Sequence, residues 1–288
     1  MDFLHHLQHW KSKNISLTAY IKINLAAVLI DLSKAFDTVD HNILLKKLFC
    51  YGIRDSAFDW CESYLSDRQQ QVLINDTLSD FMFEQPYGVP QGSVLGPLFF
   101  LLYINDIDKA IKFSYYHLYA DDTIIIQSSN NSSCLIKSVE AELVNINDWL
   151  TLNKLTPNRK KCETIFFANQ VQLKTCEKLK VHFMGEELKT KESVKYLGVH
   201  FDSKLSWEKH ISEVKRKISF KLSKIRPLAR FLDSTDINML VRSFIFPYLH
   251  YCSTTWSSAA PHQINKLQST CDKVHLLSPL IPHIKVSQ

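Results

Sequence analysis

Asp121 and Asp122 are adjacent carboxylates between two apolar segments, His117-Leu118-Tyr119 before them and Thr123-Ile124-Ile125-Ile126 after. Two acids fixed side by side repel each other, so a rigid pair is costly unless a cation or a proton relieves it. A solvated acidic turn and a metal-binding hairpin share this dipeptide. The flanks, which read as two strands, favour the hairpin. A third acid, Asp31, follows the run Ala26-Ala27-Val28-Leu29-Ile30. That is the pattern of a strand buried on both faces, with the carboxylate emerging at its C-terminal end. Metal-assisted phosphoryl transfer needs carboxylates from separate elements converging on one point, and these strands offer them. Between them lies Gly88-Val89-Pro90-Gln91-Gly92-Ser93. Its glycines, its Gln and its Ser ahead of a helix suit close approach to a nucleotide and its template base.

The elements that must position these residues alternate in kind. After Asp31 the chain turns toward a helix with apolar positions Ile43, Leu44, Leu45 and Leu48, at whose start Asp37 and Asp40 are expected as caps. A short helix spans Asp55 to Leu65. Strands at Gln70 to Ile74 and Phe81 to Gln85 form a hairpin around Asn75-Asp76-Thr77. Ser93 is expected to cap a core helix running to about Ile111, with Pro97 tolerated in its first turn. Leu135, Val139, Leu143, Ile146 and Leu150 mark an amphipathic helix, ended by Asn153 and stopped by Pro157. Strands follow at Cys162 to Ala168, Lys180 to Phe183 and Val194 to Phe201. From Trp207 onward the signals are mainly helical. The order predicts an α+β fold, an antiparallel sheet backed by helices in a split βαβ arrangement.

The ordered set LIDLSKAFDTVDH, GVPQGSVLGPLFFLLYINDI and LYADDTIII resembles motifs A, B and C of reverse transcriptases, specifically those of non-LTR retrotransposons of the LINE type. NKLTPNRKKCETIFF and VKYLGVHFDSKLSW resemble motifs D and E. The resemblance implies a polymerase palm over residues 1–203 with a remnant of fingers, and a helical, thumb-like region over residues 204–288. Asp31 and Asp121 resemble the metal-binding carboxylates of the family, with Asp122 the third acid. Two Mg²⁺ ions are the implied cofactors, hard cations suited to oxygen ligands and a triphosphate. Phe36 resembles the steric gate against a ribose 2′-hydroxyl, although a buried core aromatic reads the same way. Gln91 and Gly92 resemble the residues lining the incoming nucleotide. Lys161 resembles the lysine that neutralises or protonates the departing pyrophosphate, with Arg159 and Lys160 competing for that role. The implied partners are an RNA template, a DNA primer and deoxynucleoside triphosphates. Two functions follow: an RNA-directed DNA polymerase, or an inactive remnant that binds RNA or hybrid duplex. The remnant is suggested by the thirty residues ahead of Asp31, which leave little room for fingers.

Composition agrees with an intracellular globular enzyme: 288 residues, 45% hydrophobic, enough to bury a core. Seven cysteines include no CxxC pair, which argues for reduced thiols and against a zinc finger. His5, His6 and His9 lack cysteine partners at ligand spacing and read as surface residues. No signal peptide opens the chain, and the apolar stretch from Val94 to Ile104 is too short to span a bilayer. No obligate protein partner is evident. The net charge of +5 is unevenly spread. Between Lys204 and Arg230 nine basic residues face only Glu208 and Glu213 as acids. Trp207, Ile211, Val214, Ile218 and Leu222 recur there at helical spacing, so one face is apolar and the other cationic. Lys215, Arg216, Lys217, Lys221 and Lys224 are the expected nucleic-acid contacts. Lys215-Arg216-Lys217 serves equally as a phosphate contact or a nuclear signal.

Overall fold

The computed structural model describes residues 24–79, 83–84, 86–167 and 179–277. The expectations for residues 1–22, for Phe81, Gln85, Ala168 and Cys176, and for the stretch with Pro279 and Pro282 lie outside these residues. The described chain forms two compact units, one of residues 24–164 with 179–190, the other of residues 165–167 with 191–277.

The first unit is built on a five-stranded sheet. Its strands are β1 (Asn24–Ile30), β6 (Tyr115–Tyr119), β7 (Asp122–Ser129), β8 (Glu163–Phe167) and β11 (Lys189–Thr190), in the order β11-β8-β1-β7-β6. The apolar run of β1 places it centrally, with Leu25, Ala26, Ala27, Val28 and Ile30 all buried. β1 and β6 each pair antiparallel with β7, whereas β11 runs parallel to β8. The sheet is therefore antiparallel at its heart and mixed at one edge.

Helices α1 (His41–Cys50), α2 (Asp55–Leu65), α3 (Leu95–Ile104) and α4 (Ser132–Leu152) complete this unit. Asp40 caps α1 by accepting from Ile43 N at 2.9 Å, which satisfies a donor that the helix leaves unpaired. Asp37 does not cap it. The helix expected to reach Ile111 ends at Ile104 and continues as a 3₁₀ segment, Asn105–Lys109. Ser93 still acts at its start, accepting from Gly96 N at 2.9 Å. Lys47 on α1 ties three helices together. Its ammonium donates to Tyr103 O at 2.6 Å and lies between the rings of Tyr103 and Trp149, 4.9 and 4.8 Å from their centroids. The apolar stripe of α4, Leu135, Val139, Leu143, Ile146 and Leu150, is buried as expected.

Short strands decorate this frame. β2 (Gln69–Gln70) pairs with β5 (Phe83–Glu84), and β3 (Leu73–Ile74) pairs with β4 (Thr77–Leu78). The inner turn is Asn75-Asp76, both with positive φ, as a two-residue hairpin loop requires. The expected strand at Lys180 to Phe183 is confined to β9 (His182–Phe183), which pairs with β10 (Glu186–Glu187).

The second unit begins with a hairpin where one strand was expected over Val194 to Phe201. β12 (Ser193–Tyr196) and β13 (Val199–Asp202) fold back on each other around Leu197 (φ 44°) and Gly198 (φ 82°). This hairpin groups with the helices in the unit of residues 165–167 and 191–277. Helix α5 (Glu208–Leu228) follows, then α6 (Ser234–Phe244), α7 (Phe246–His250), α8 (Ser253–Trp256) and α9 (Pro261–His275). Trp207, Ile211, Val214, Ile218 and Leu222 are buried, as their spacing predicts. Among the described residues no helix is long and apolar enough to cross a membrane.

Candidate active site

The β6–β7 hairpin closes with Tyr119 paired to Asp122, leaving Ala120 and Asp121 as its two-residue loop. Ala120 takes φ 52°, a left-handed conformation uncommon for a residue with a β-carbon. Such local strain concentrates where surrounding structure over-determines the chain. On the other side of β7, Ile30 pairs with Thr123. Antiparallel register then brings Asp31, the next residue after β1, beside Asp122. Three acids from two segments thus gather at one end of the sheet.

Their electrostatics follow from this placement. Burial pushes the Asp122 carboxyl above its usual range, and the neighbouring charges of Asp121 and Asp31 push it further, with Lys161 opposing them. Asp31 Oδ1 is buried with no hydrogen-bond partner, a cost that a native fold rarely leaves uncompensated. Lys161 Nζ lies 3.5 Å from Asp31 Oδ2. Asp31 also anchors the segment that carries this lysine, since its carbonyl accepts from Asn158 N at 2.8 Å. Cys162, fully buried, sits against the same carbonyl. Arg159 pairs with Glu186 at 2.7 Å.

An orphaned carboxylate oxygen and mutually repelling acids are what a hard cation relieves, so these residues fit a divalent metal. Among the described residues no group of three or more His, Cys, Asp or Glu is arranged to hold a metal ion by itself.

The Gly88–Gly92 turn is laced to the segment after Asp31. Val89 N donates to Phe36 O and Gly88 N to Val39 O, both at 2.8 Å, and His41 Nε2 lies 2.7 Å from Gly88 O. Gly88 has φ 86°, and a β-carbon there would lie 2.9 Å from the Asp37 backbone. Only glycine permits this approach. Gly96 is equally constrained, with a β-carbon meeting Pro90 O at 2.4 Å. Phe36 is half-buried and stacks on Phe100, 4.7 Å between centroids. Its ring is thus held against the core through Phe100. Gln91 and Gly92 are exposed. Gln91 Nε2 donates to Asp37 Oδ1 at 2.8 Å, the contact that occupies Asp37 in place of a helix cap.

A buried acid absent from the sequence reading supports the hairpin. Glu142 on α4 is fully buried and accepts from Lys112 N and Phe113 N, each at 2.7 Å, and from Ser114 Oγ at 3.1 Å. It thereby fixes the segment that leads into β6. Its spacing from Val139 and Ile146 was the available signal, because it places the acid on the buried face.

The basic residues of α5 belong to the other unit. Arg216 forms two bonds with Glu213, at 2.9 and 2.8 Å. Lys217, Lys221 and Lys224 lie 5.6, 5.4 and 5.5 Å from the ring centroids of Tyr248, Phe244 and Phe220. Lys215 is partly exposed.

Comparison with known proteins now bears on this geometry. The profile of the family described as reverse transcriptase (RNA-dependent DNA polymerase) matches residues 5–201. The chain is similar to the RNA-directed DNA polymerase from mobile element jockey of Drosophila melanogaster, 26% identical over 83% of this chain and 26% of that protein. It is also similar to the probable RNA-directed DNA polymerase from transposon BS of the same organism, 28% identical over 84% of this chain and 27% of that protein. The chain therefore spans about a quarter of the length of these curated relatives. Among solved structures, telomerase from Candida albicans with a fragment of telomeric RNA matches with a TM-score of 0.53, covering 96% of this chain and 52% of that one at 14% identity. Apo telomerase from Candida tropicalis gives 0.51, with 96% and 50% covered at 13% identity. At such identities the likeness speaks for the fold alone, a mixed helix and sheet architecture of the palm type. With the family profile covering more than half of its residues, the chain belongs to the reverse transcriptase family, and its relatives are RNA-directed DNA polymerases of non-LTR retrotransposons.

Proposed function

We propose that this chain carries the nucleotidyl-transfer centre of an RNA-directed DNA polymerase, adding deoxynucleotides to a primer 3′-hydroxyl on an RNA template. The observation that supports it best is the register of β1 on β7, which sets Asp31 beside Asp122 with Asp121 in the adjoining turn. Asp31, Asp121 and Asp122 would hold two Mg²⁺ ions, and Asp31 Oδ1 and the raised carboxyl of Asp122 mark where positive charge is missing. Bound there, the ions supply Lewis acidity at the attacking hydroxyl and at the departing pyrophosphate. Lys161 Nζ lies beside this cluster and would neutralise charge on the leaving group. Phe36, steadied by Phe100, presents a bulky ring where a ribose 2′-hydroxyl would clash. The exposed amide of Gln91 and the backbone of Gly92 line the nucleotide. The helical unit fits a thumb-like role, with Lys215, Arg216, Lys217, Lys221 and Lys224 on α5 as phosphate contacts.

Primer extension by the purified chain on an RNA template tests this reading. Mg²⁺-dependent extension is expected, abolished by Asp121→Asn. Extension no greater than that variant, together with salt-sensitive RNA binding, would refute the enzyme and favour the inactive remnant.

A further inference from the structure

Gln91 is held by a group that no motif assigns to the nucleotide. Its Nε2 donates to Asp37 Oδ1 at 2.8 Å, across 54 residues of sequence. A carboxylate accepts hydrogen bonds and donates none, whereas a free primary amide can present either end. The contact therefore fixes which way the amide points: NH₂ toward Asp37, carbonyl oxygen away from it.

The support under Asp37 is rigid for an exposed side chain. Its main chain lies against Gly88 so closely that a β-carbon there would come within 2.9 Å of its Cα. The residues on either side are bonded to the same turn, Phe36 O accepting from Val89 N and Val39 O from Gly88 N, each at 2.8 Å. Asp37 N itself donates to Lys34 O at 2.9 Å. The two segments thus move as one piece, and Asp37 bridges them through a side chain while its neighbours do so through the backbone.

We propose that Asp37 is a positioning residue for nucleotide selection, orienting Gln91 so that its carbonyl oxygen is the acceptor offered to a hydrogen-bond donor of the incoming deoxynucleoside triphosphate. This rests on the polymerase reading above. Asp37 acts only through Gln91. Without it the amide rotates, and half of its orientations set NH₂ against a donor.

Two measurements on the full chain test the lock. In steady-state extension on an RNA template, Asp37→Ala should raise KM for the nucleotide about tenfold while kcat and template–primer affinity stay within about twofold. Gln91→Ala should match it, and the double variant should be no worse than Gln91→Ala alone. Asp37→Asn, which keeps an accepting oxygen in place, should recover most of the loss. Independent, multiplying effects of the two alanines would overturn the proposal, as would an unchanged KM in Asp37→Ala. The second measurement needs no activity: the side-chain amide resonances of Gln91, identified by their loss in Gln91→Ala, should shift in Asp37→Ala. Unmoved resonances would overturn the lock even in an active enzyme. Shifted resonances in a wild-type chain that extends no primer would retain the lock while removing the polymerase reading.

Discussion

Replacing Glu142 by Gln should loosen the β6–β7 hairpin without touching it. The carboxylate accepts from Lys112 N through one oxygen, and from Phe113 N and Ser114 Oγ through the other, which also lies 3.5 Å from Gln127 Nε2 on β7. Glutamine keeps the shape and one accepting oxygen. Its NH₂, however, must face either Lys112 N–H or Phe113 N–H, so one main-chain donor meets another. Losing a hydrogen bond to a charged group costs about 1.5–3 kcal/mol, and an orphaned donor adds to this, giving about 3 kcal/mol for Glu142→Gln. Glu142→Leu orphans both donors and should cost about 4 kcal/mol or more. Against a total stability of about 5–15 kcal/mol these are large losses. Urea unfolding should show the midpoint of the sheet-bearing unit falling by about 1 M. Hydrogen exchange should show amides 112–114 losing protection first, with β6 and β7 following. A midpoint within about 0.2 M of wild type, with residues 112–114 still protected, would refute the reasoning.

The helical unit should be acid-sensitive through His210. Burial, and then the charges of His200 and Lys217, push its pKa down to about 4, against the opposing charge of Glu213. The unfolded chain binds a proton below the ordinary value of 6.5 that the folded unit refuses, so this stability is intact above pH 6.5 and is lost as pH falls toward 4. The loss should reach about 2 kcal/mol at pH 5. Comparing unfolding midpoints at pH 7.5 and 5 checks it, and a His210→Leu variant with the same acid slope as wild type would contradict it. On α5, Lys215→Glu should weaken RNA binding and lower the slope of log affinity against log salt by about 0.9 per lost phosphate contact. Arg216→Glu should do less, because Glu213 already engages that guanidinium. Equal effects at both positions would argue against the proposed face.

What the sequence made legible was whatever a local period could encode. The apolar run of β1, the stripe of α4 and the stripe of α5 each follow one repeat, and burial follows the same repeat. The acids at the ends of β1 and the β6–β7 hairpin were legible because strand ends are fixed by that run. The hairpin of β12 and β13 was missed because its turn begins at Leu197, a residue with no preference for positive φ. Only Gly198 marked the break. The partners of Glu142 and Asp37 lie 28 to 30 and 54 residues away. Such pairings depend on which loops meet, and no local pattern carries that information.

Two kinds of acid lie about the β6–β7 hairpin, Glu142 on α4 and the aspartates at the strand ends, and their contrast is a physical argument for the site. Glu142 is buried deeper than Asp31, yet both of its oxygens are satisfied by donors brought from another segment. Asp31 and Asp122 lie at the turn end of the hairpin, one with an orphaned oxygen and the other with its pKa raised by burial and then by its neighbours' charges. A fold able to satisfy the first could satisfy the second with a single nearby donor, yet Lys161 lies 3.5 Å from Asp31 Oδ2 and leaves Oδ1 unpartnered. This deficit in a carboxylate lies where β1, the left-handed Ala120 turn and the segment carrying Lys161 converge. A local violation of this kind is where function is expected. A cation that takes oxygen ligands would relieve it. Adding Mg²⁺ should therefore raise the thermal midpoint of the wild-type chain more than that of Asp31→Asn, and an equal rise in both would place the cation elsewhere.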